Sequence, residues 1–229
     1  MKRILPIALA CLWLAACTTT STRVADKEAP KPPAGSQVLL LEPDVQLGLL
    51  TASGVTDPRA DWSKAAKDNL AREIEGQLKT RAHGFKMADP EAVMEGRTGQ
   101  LLRLNGAVGQ SIILFSYSGM TLPTKGKDFD WTLGDGVKAL AEQHGAQYAL
   151  FVNAKGNYAS GGRVAASIGM AMLGVSLPMG QQQVMASLVD LKSGKVVWFN
   201  VAVAGPNADM RETEGAKSLT TSLLKNIPL

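Results

Sequence analysis

The sequence is poor in the groups that do covalent chemistry. Of 229 residues, two are cysteine and two are histidine. Both cysteines, Cys11 and Cys17, lie near the start, so the rest of the chain has no thiol for a disulfide, a metal or a nucleophile. His83 and His144 each precede a glycine where a helix is expected to stop, a position that suits a positive charge. There is no Gly-x-Ser-x-Gly elbow and no His-Glu-x-x-His pair. Asp128, Asp130 and Asp135 fit no metal-loop spacing, and Asp135 is better explained at a helix start. The glycines from Gly156 to Gly162 lack the Gly-Lys-Ser/Thr of a phosphate loop and read as a flexible turn. Aromatics are 5% of the chain, the net charge is only +4, and no basic run occurs, which argues against nucleic acid. These absences predict a non-enzymatic protein without a metal or cofactor.

The strongest positive signal is at the start. Met1-Lys2-Arg3 is a short cationic segment, and Ile4 to Ala16 is apolar and uncharged. That run has the length of a signal-peptide core and falls short of the roughly 20 residues a membrane span needs. It ends in Leu14-Ala15-Ala16-Cys17, which resembles the lipobox of bacterial lipoproteins. Ala8-Leu9-Ala10-Cys11 is a poorer copy, and an ordinary secretory signal with an incidental cysteine is the alternative. The resemblance implies cleavage between Ala16 and Cys17, with diacylglyceryl and N-acyl groups on Cys17 holding the chain to a membrane. Thr18, where aspartate would favour the inner membrane, implies the periplasmic face of the outer membrane. Cleavage leaves 213 residues and a charge of +2. Residues 17–36 read as the lipidated cysteine and a flexible tether, polar at Thr18–Thr22 and proline-rich at Ala29–Gly35. Fully extended, the tether reaches about 60 Å at ~3.3 Å per residue.

Residues 37–229 read as one α/β domain. Val38–Leu41 is an apolar run typical of a buried strand. Asp61 is placed to cap a helix whose apolar residues Trp62, Ala66, Leu70, Ile74 and Leu78 recur every four positions. That helix is expected to close at Gly84, before a strand at Phe85–Met87. Glu91–Tyr117 is ambiguous between helix and strand, and its apolar stripe favours helix. Thr132 is placed to cap a further helix closed by His144-Gly145, and Tyr148–Val152 is a strand. Val184–Asp190 and Val196–Val203 form a hairpin about Leu191-Lys192-Ser193-Gly194. Asn207 or Asp209 then caps a last helix with Ala216, Leu219, Leu223 and Ile227 on its apolar face. The order β-α-β-α-α-β-insert-β-β-α predicts a mixed sheet of about five strands covered by helices.

Tyr148–Asn153, followed by Gln183–Asp190 and Lys192-Ser193-Gly194-Lys195-Val196-Val197-Trp198, resembles a group of envelope proteins. The group includes the curli secretion channel lipoprotein, the penicillin-binding-protein activator lipoproteins and the N-terminal domain of the Tol-system periplasmic protein. The resemblance implies an α/β fold that acts by assembly and contact. In the curli channel, alternating polar and apolar segments build a membrane barrel. The insert here, Gly161–Val175, does not alternate and reads as a compact helix or apolar loop.

From Val164 to Met179 there is no charge at all. Val164, Ile168, Met170, Met172, Leu173 and Met179 form a candidate interaction surface for a partner, lipid or a second copy; the alternative is a helix buried in the domain's own core. The sequence therefore predicts a lipid-anchored accessory lipoprotein that binds a periplasmic or envelope protein. Its rivals are a subunit of an oligomeric outer-membrane secretion or transport assembly, and a hydrolase of envelope polymers.

Overall fold

The computed structural model describes residues 19–24, 32–81, 84–88, 96–123, 128–204 and 208–229. Ala16, Cys17, His83 and Asn207 lie outside the described residues. The strands are β1 (Thr19–Val24), β2 (Gln37–Leu40), β3 (Asp44–Leu50), β4 (Thr56–Pro58), β5 (Gly84–Met87), β6 (Tyr148–Ala159), β7 (Gln182–Asp190) and β8 (Val196–Val203). The helices are α1 (Ala60–Lys79), α2 (Gly96–Ile112), α3 (Lys138–His144), α4 (Gly161–Ala171) and α5 (Thr213–Leu223). A π-helical turn, Ile113–Tyr117, extends α2, and a 3-10 turn, Asp135–Val137, leads into α3.

One mixed sheet runs β1-β8-β7-β6, and β6 then pairs in parallel with both β2 and β3. β2 takes the first half of β6 and β3 the second. Leu40 lies across from Leu150 but Asp44 across from Asn153, so one residue slips out of register at the Glu42-Pro43 break. Pro43 has no N–H to give the ladder. β5 flanks β2, and β4 flanks β3.

Both faces of the sheet are covered, which is why its central strands are apolar throughout. Val38, Leu40, Leu150 and Val152 pack with Ala66, Leu70 and Ile74 of α1 and Leu219 and Leu223 of α5. Their neighbours Leu39, Leu41, Ala149 and Phe151 point the other way, onto Leu101 and Ile112 of α2 and Leu140 of α3. Each fully buried leucine contributes roughly 1.5–3 kcal/mol over an exposed one. Asn200 of β8 is buried, and its Nδ2 donates to the carbonyl of Leu223 at 2.6 Å and of Ser222 at 3.3 Å. These belong to the last turn of α5, whose carbonyls lack helical partners.

The mixed α/β sheet and its helices match the expected fold class, and the hairpin, with Gly194 at φ 74°, falls as expected. Several details differ. Among the described residues the sheet has eight strands, because β1, β3 and β4 join it. Thr19–Val24, expected within the tether, pairs antiparallel with β8 from Val203 to Trp198. The threonine-rich segment suits an edge strand as well as a linker. Pro33–Ser36 is also tied down, since Ser36 N and Oγ both donate to the Pro33 carbonyl.

Three expected helix caps do other work. Asp61 sits in the first turn of α1 and pairs with Arg59, the cap residue itself, at 3.1 Å. Thr132 Oγ1 accepts from Gly134 N and donates to the Gly194 carbonyl, fastening the loop to the β7–β8 turn. Asp209 holds Arg211, and α5 starts later, after Glu212. Gly145 closes α3 in the left-handed conformation at φ 66°, but Gly84 lies inside β5. The expected turn at Gly156–Gly162 is the end of β6 and the start of α4.

Candidate functional site

The twelve residues of β6 span about 36 Å at ~3.3 Å per residue and give the sheet two ends. At the exit end, β6 finishes and β7 begins. Thr19 lies across from Val203, Val203 from Gln183 and Gln183 from Lys155, so β1 starts at this end too. At the entry end, β6 begins at Tyr148 beside Asp190, the last residue of β7.

The uncharged segment rises from the exit end. Ser160 caps α4, its Oγ accepting from Arg163 N at 3.1 Å. Gly174 closes the helix at φ 76°. Its N–H donates to the Ala171 carbonyl while that of Val175 reaches back to Met170, a Schellman closure. The chain returns past Pro178 to Gly180, at φ 98°, where a Cβ would meet the Asn157 carbonyl at 2.4 Å. Only glycine fits there.

Arg163 roots this excursion. It is 8% exposed, and its Nε donates to the Pro178 carbonyl at 3.0 Å. One terminal nitrogen reaches the Ala52 carbonyl in the β3–β4 turn at 3.4 Å. Above this clamp, Met172 is 82% exposed, Leu173 76% and Ile168 58%; Val164, Val175 and Met179 are also exposed, and Met170 is half-buried. The candidate surface is therefore not part of the core. Val55, in the same β3–β4 turn as Ala52, is 64% exposed.

Beside the root lies a compact aromatic–arginine group that sequence reading missed. The ring of Tyr158 packs edge-on to Trp62 with centroids 5.6 Å apart, and the Arg211 guanidinium lies 3.6 Å from the Tyr158 centroid and 4.4 Å from that of Trp62. The Tyr158 hydroxyl sits 2.7 Å from Asp209 Oδ1 and 2.6 Å from Gln182 Oε1. Burial, and then the Asp209 carboxylate, push the Tyr158 pKa far up. Burial works against the Asp209 charge, but Arg211 and the tyrosine hydroxyl hold its pKa below the usual value. Every group is engaged, so the cluster fastens β6, α1 and the approach to α5. The only sequence signal for it is three long side chains far apart in the chain.

The entry end carries an open recess of about 500 Å³. Pro33, Ala141, Ala146, Tyr148 and Leu191 line it, with Lys138, Glu142, Asp190 and Lys192 at its rim. His144 is nearby in sequence, at the end of α3. Burial and then Lys86 lower its pKa, and among the described residues no hydrogen bond or ion pair joins it to a serine or carboxylate. Asp135 pairs with Lys138 at 2.6 Å, and among the described residues no three metal-binding side chains come together. No described helix is long and apolar enough to cross a membrane.

No protein-family profile matches the sequence, and no curated protein matches it. Among solved structures, the chain is similar to the PelC dodecamer from Paraburkholderia phytofirmans at 14% identity, over 91% of this chain and 95% of that one, with a TM-score of 0.41. It is similar to the LpoB C-terminal domain from Salmonella enterica at 16% identity, over 78% and 88%, with a TM-score of 0.31. Lipoprotein GNA1162 from Neisseria meningitidis matches at 13% identity, over 75% and 85%, with a TM-score of 0.32. These likenesses are weak.

Proposed function

We propose that this chain is a lipid-anchored accessory lipoprotein of the cell envelope, held at the periplasmic face of the outer membrane, that works by binding a protein partner and not by catalysis. The lipobox-like Leu14–Cys17 supports the anchor. The observation that carries the reading is the polarity of the sheet. The chain from Cys17 enters at the exit end, where Thr19 is level with Lys155, and the apolar recess with its charged rim opens at the other, about 23 Å away along β6 at ~3.3 Å per residue. A recess of this kind takes one or two apolar side chains of a partner, while Lys138, Glu142, Asp190 and Lys192 set the register of the approach.

Photo-crosslinking side chains placed at Glu142 and Lys192, in cells making the full chain, test this reading. The expected result is one dominant envelope protein captured from both positions and none from Asp68 on the outer face of α1. Capture of no stoichiometric protein from either rim position would count decisively against it. Recovery of substrate turnover by the purified chain, lost on changing His144, would favour a hydrolase instead.

A further inference from the structure

The excursion from Val164 to Met179 is too well held to be a loose loop and too exposed to be core. Its two limbs are clamped at Arg163, its helix is capped at both ends, and its return is fixed by Gly180. This is a formed element presenting Ile168, Met172, Leu173, Val175 and Met179 outward, with Val55 beside its root. Exposed apolar side chains gathered on one formed element mark a contact surface.

What covers it follows from where the chain enters. Thr19 starts β1 at the exit end, and Cys17 precedes it by two residues in the chain. β1 and β6 are separated by β8 and β7, three strand spacings or about 14 Å. Acyl groups on Cys17 and the apolar excursion therefore leave the same end of the sheet, side by side. We infer that the segment Val164–Met179 lies in the lipid surface that holds the anchor, as an interfacial helix and return, and is not the site of the protein partner. This rests on the acylation in the proposed function. The eleven-residue α4, about 16 Å long, cannot span a bilayer, but its apolar side chains can sit among headgroups and upper acyl chains. The anchor also keeps lipid at high effective concentration beside the excursion, so weak partitioning suffices. Two contacts at least about 14 Å apart orient the domain where acyl chains alone would let it swivel. They turn the entry-end recess away from the membrane.

The full acylated chain, carrying Leu173→Cys as its one free thiol, is labelled with an environment-sensitive fluorophore. It is reconstituted into vesicles of phosphatidylethanolamine and phosphatidylglycerol. The expected result is blue-shifted emission, quenched by brominated lipid about fivefold more than a label on Lys192→Cys. A label at 173 that stays in water overturns the inference. So does shielding that persists without vesicles and tracks a dimer in native mass spectrometry, which would assign the surface to a second copy. Mass measurement of the N-terminal peptide decides the anchor separately. If Cys17 proves unmodified, vesicle cosedimentation of the Cys17→Ala chain still reads the excursion. Binding that falls about tenfold with Ile168→Ser and Leu173→Ser supports it, and no binding overturns it.

Discussion

Arg163 donates to the carbonyl of Pro178, fifteen residues further along the chain, at 3.0 Å. This contact joins the two limbs of the apolar excursion, through a buried guanidinium that donates to the backbone carbonyls of Pro178 and Ala52. Arg163→Ala is expected to cost about 2 kcal/mol of unfolding free energy, since hydrogen bonds to a charged group contribute roughly 1.5–3 kcal/mol. Urea denaturation reads the cost, and limited proteolysis should open new cleavage sites between 164 and 179. An unchanged digestion pattern would show that the clamp does not hold the excursion.

Asn200 of β8 caps the last turn of α5. Asn200→Ala leaves the carbonyls of Ser222 and Leu223 without that donor and is expected to cost about 1–3 kcal/mol. Hydrogen exchange should speed up first in α5. Uniform acceleration across the domain would contradict a local role.

Two glycines on helices should respond in opposite directions. At Gly76 on the outer side of α1, a Cβ meets nothing within 4 Å, so Gly76→Ala should stabilise by about 0.5–1 kcal/mol. At Gly215, a Cβ would lie 1.9 Å from the Asp209 carbonyl oxygen, so the same change in α5 should destabilise despite the better propensity. Thermal melts of the two variants should move to opposite sides of the wild type.

Tyr158 is held protonated. Its folded pKa lies above the unfolded value, so its contribution to stability is fully present below about pH 10 and is lost as pH rises toward the folded pKa. In an alkaline titration followed by tyrosinate absorbance, the Tyr158 signal should appear only with unfolding. Tyr158→Phe should remove that late component. A Tyr158 signal rising in the folded protein would contradict the packing described.

Asp209 has the opposite sign. Its folded pKa is depressed, so its contribution is present above the unfolded value near 3.8 and is lost as pH falls through the folded pKa. Asp209→Asn should be less stable than wild type at neutral pH and should lose less on acidification below about pH 4, as read by denaturant midpoints.

Where one physical signal dominated, the sequence was readable. The four-residue spacing of Ala66, Leu70, Ile74 and Leu78 belongs to one helix face, and all four are buried. The run Val38–Leu41 alternates between two cores, and only a doubly covered strand needs four apolar residues in a row. Where two signals competed, local reading failed. Pro43 looks like the end of a strand, yet β3 resumes the pairing with β6 after one slipped residue. Thr132 and Asp209 have the chemistry of helix caps, but each is taken up by a contact distant in sequence. The excursion showed its composition in sequence. Its exposure depends on where β1 and β6 end relative to each other, which no local pattern encodes.

The pairing of β1 with β8 has a mechanical side. With lipid on Cys17, any load between membrane and domain is carried along β1, so its six residue pairs bear the strain together, in shear. While they hold, the leash ahead of the domain is two residues long. Once they slip, the chain back to Pro33 is released and the domain can stand up to about 50 Å from its anchor at ~3.3 Å per residue, its two hydrophobic cores still closed. The edge strand is thus a latch on reach, and single-molecule pulling should show one early lengthening step before the cores give way.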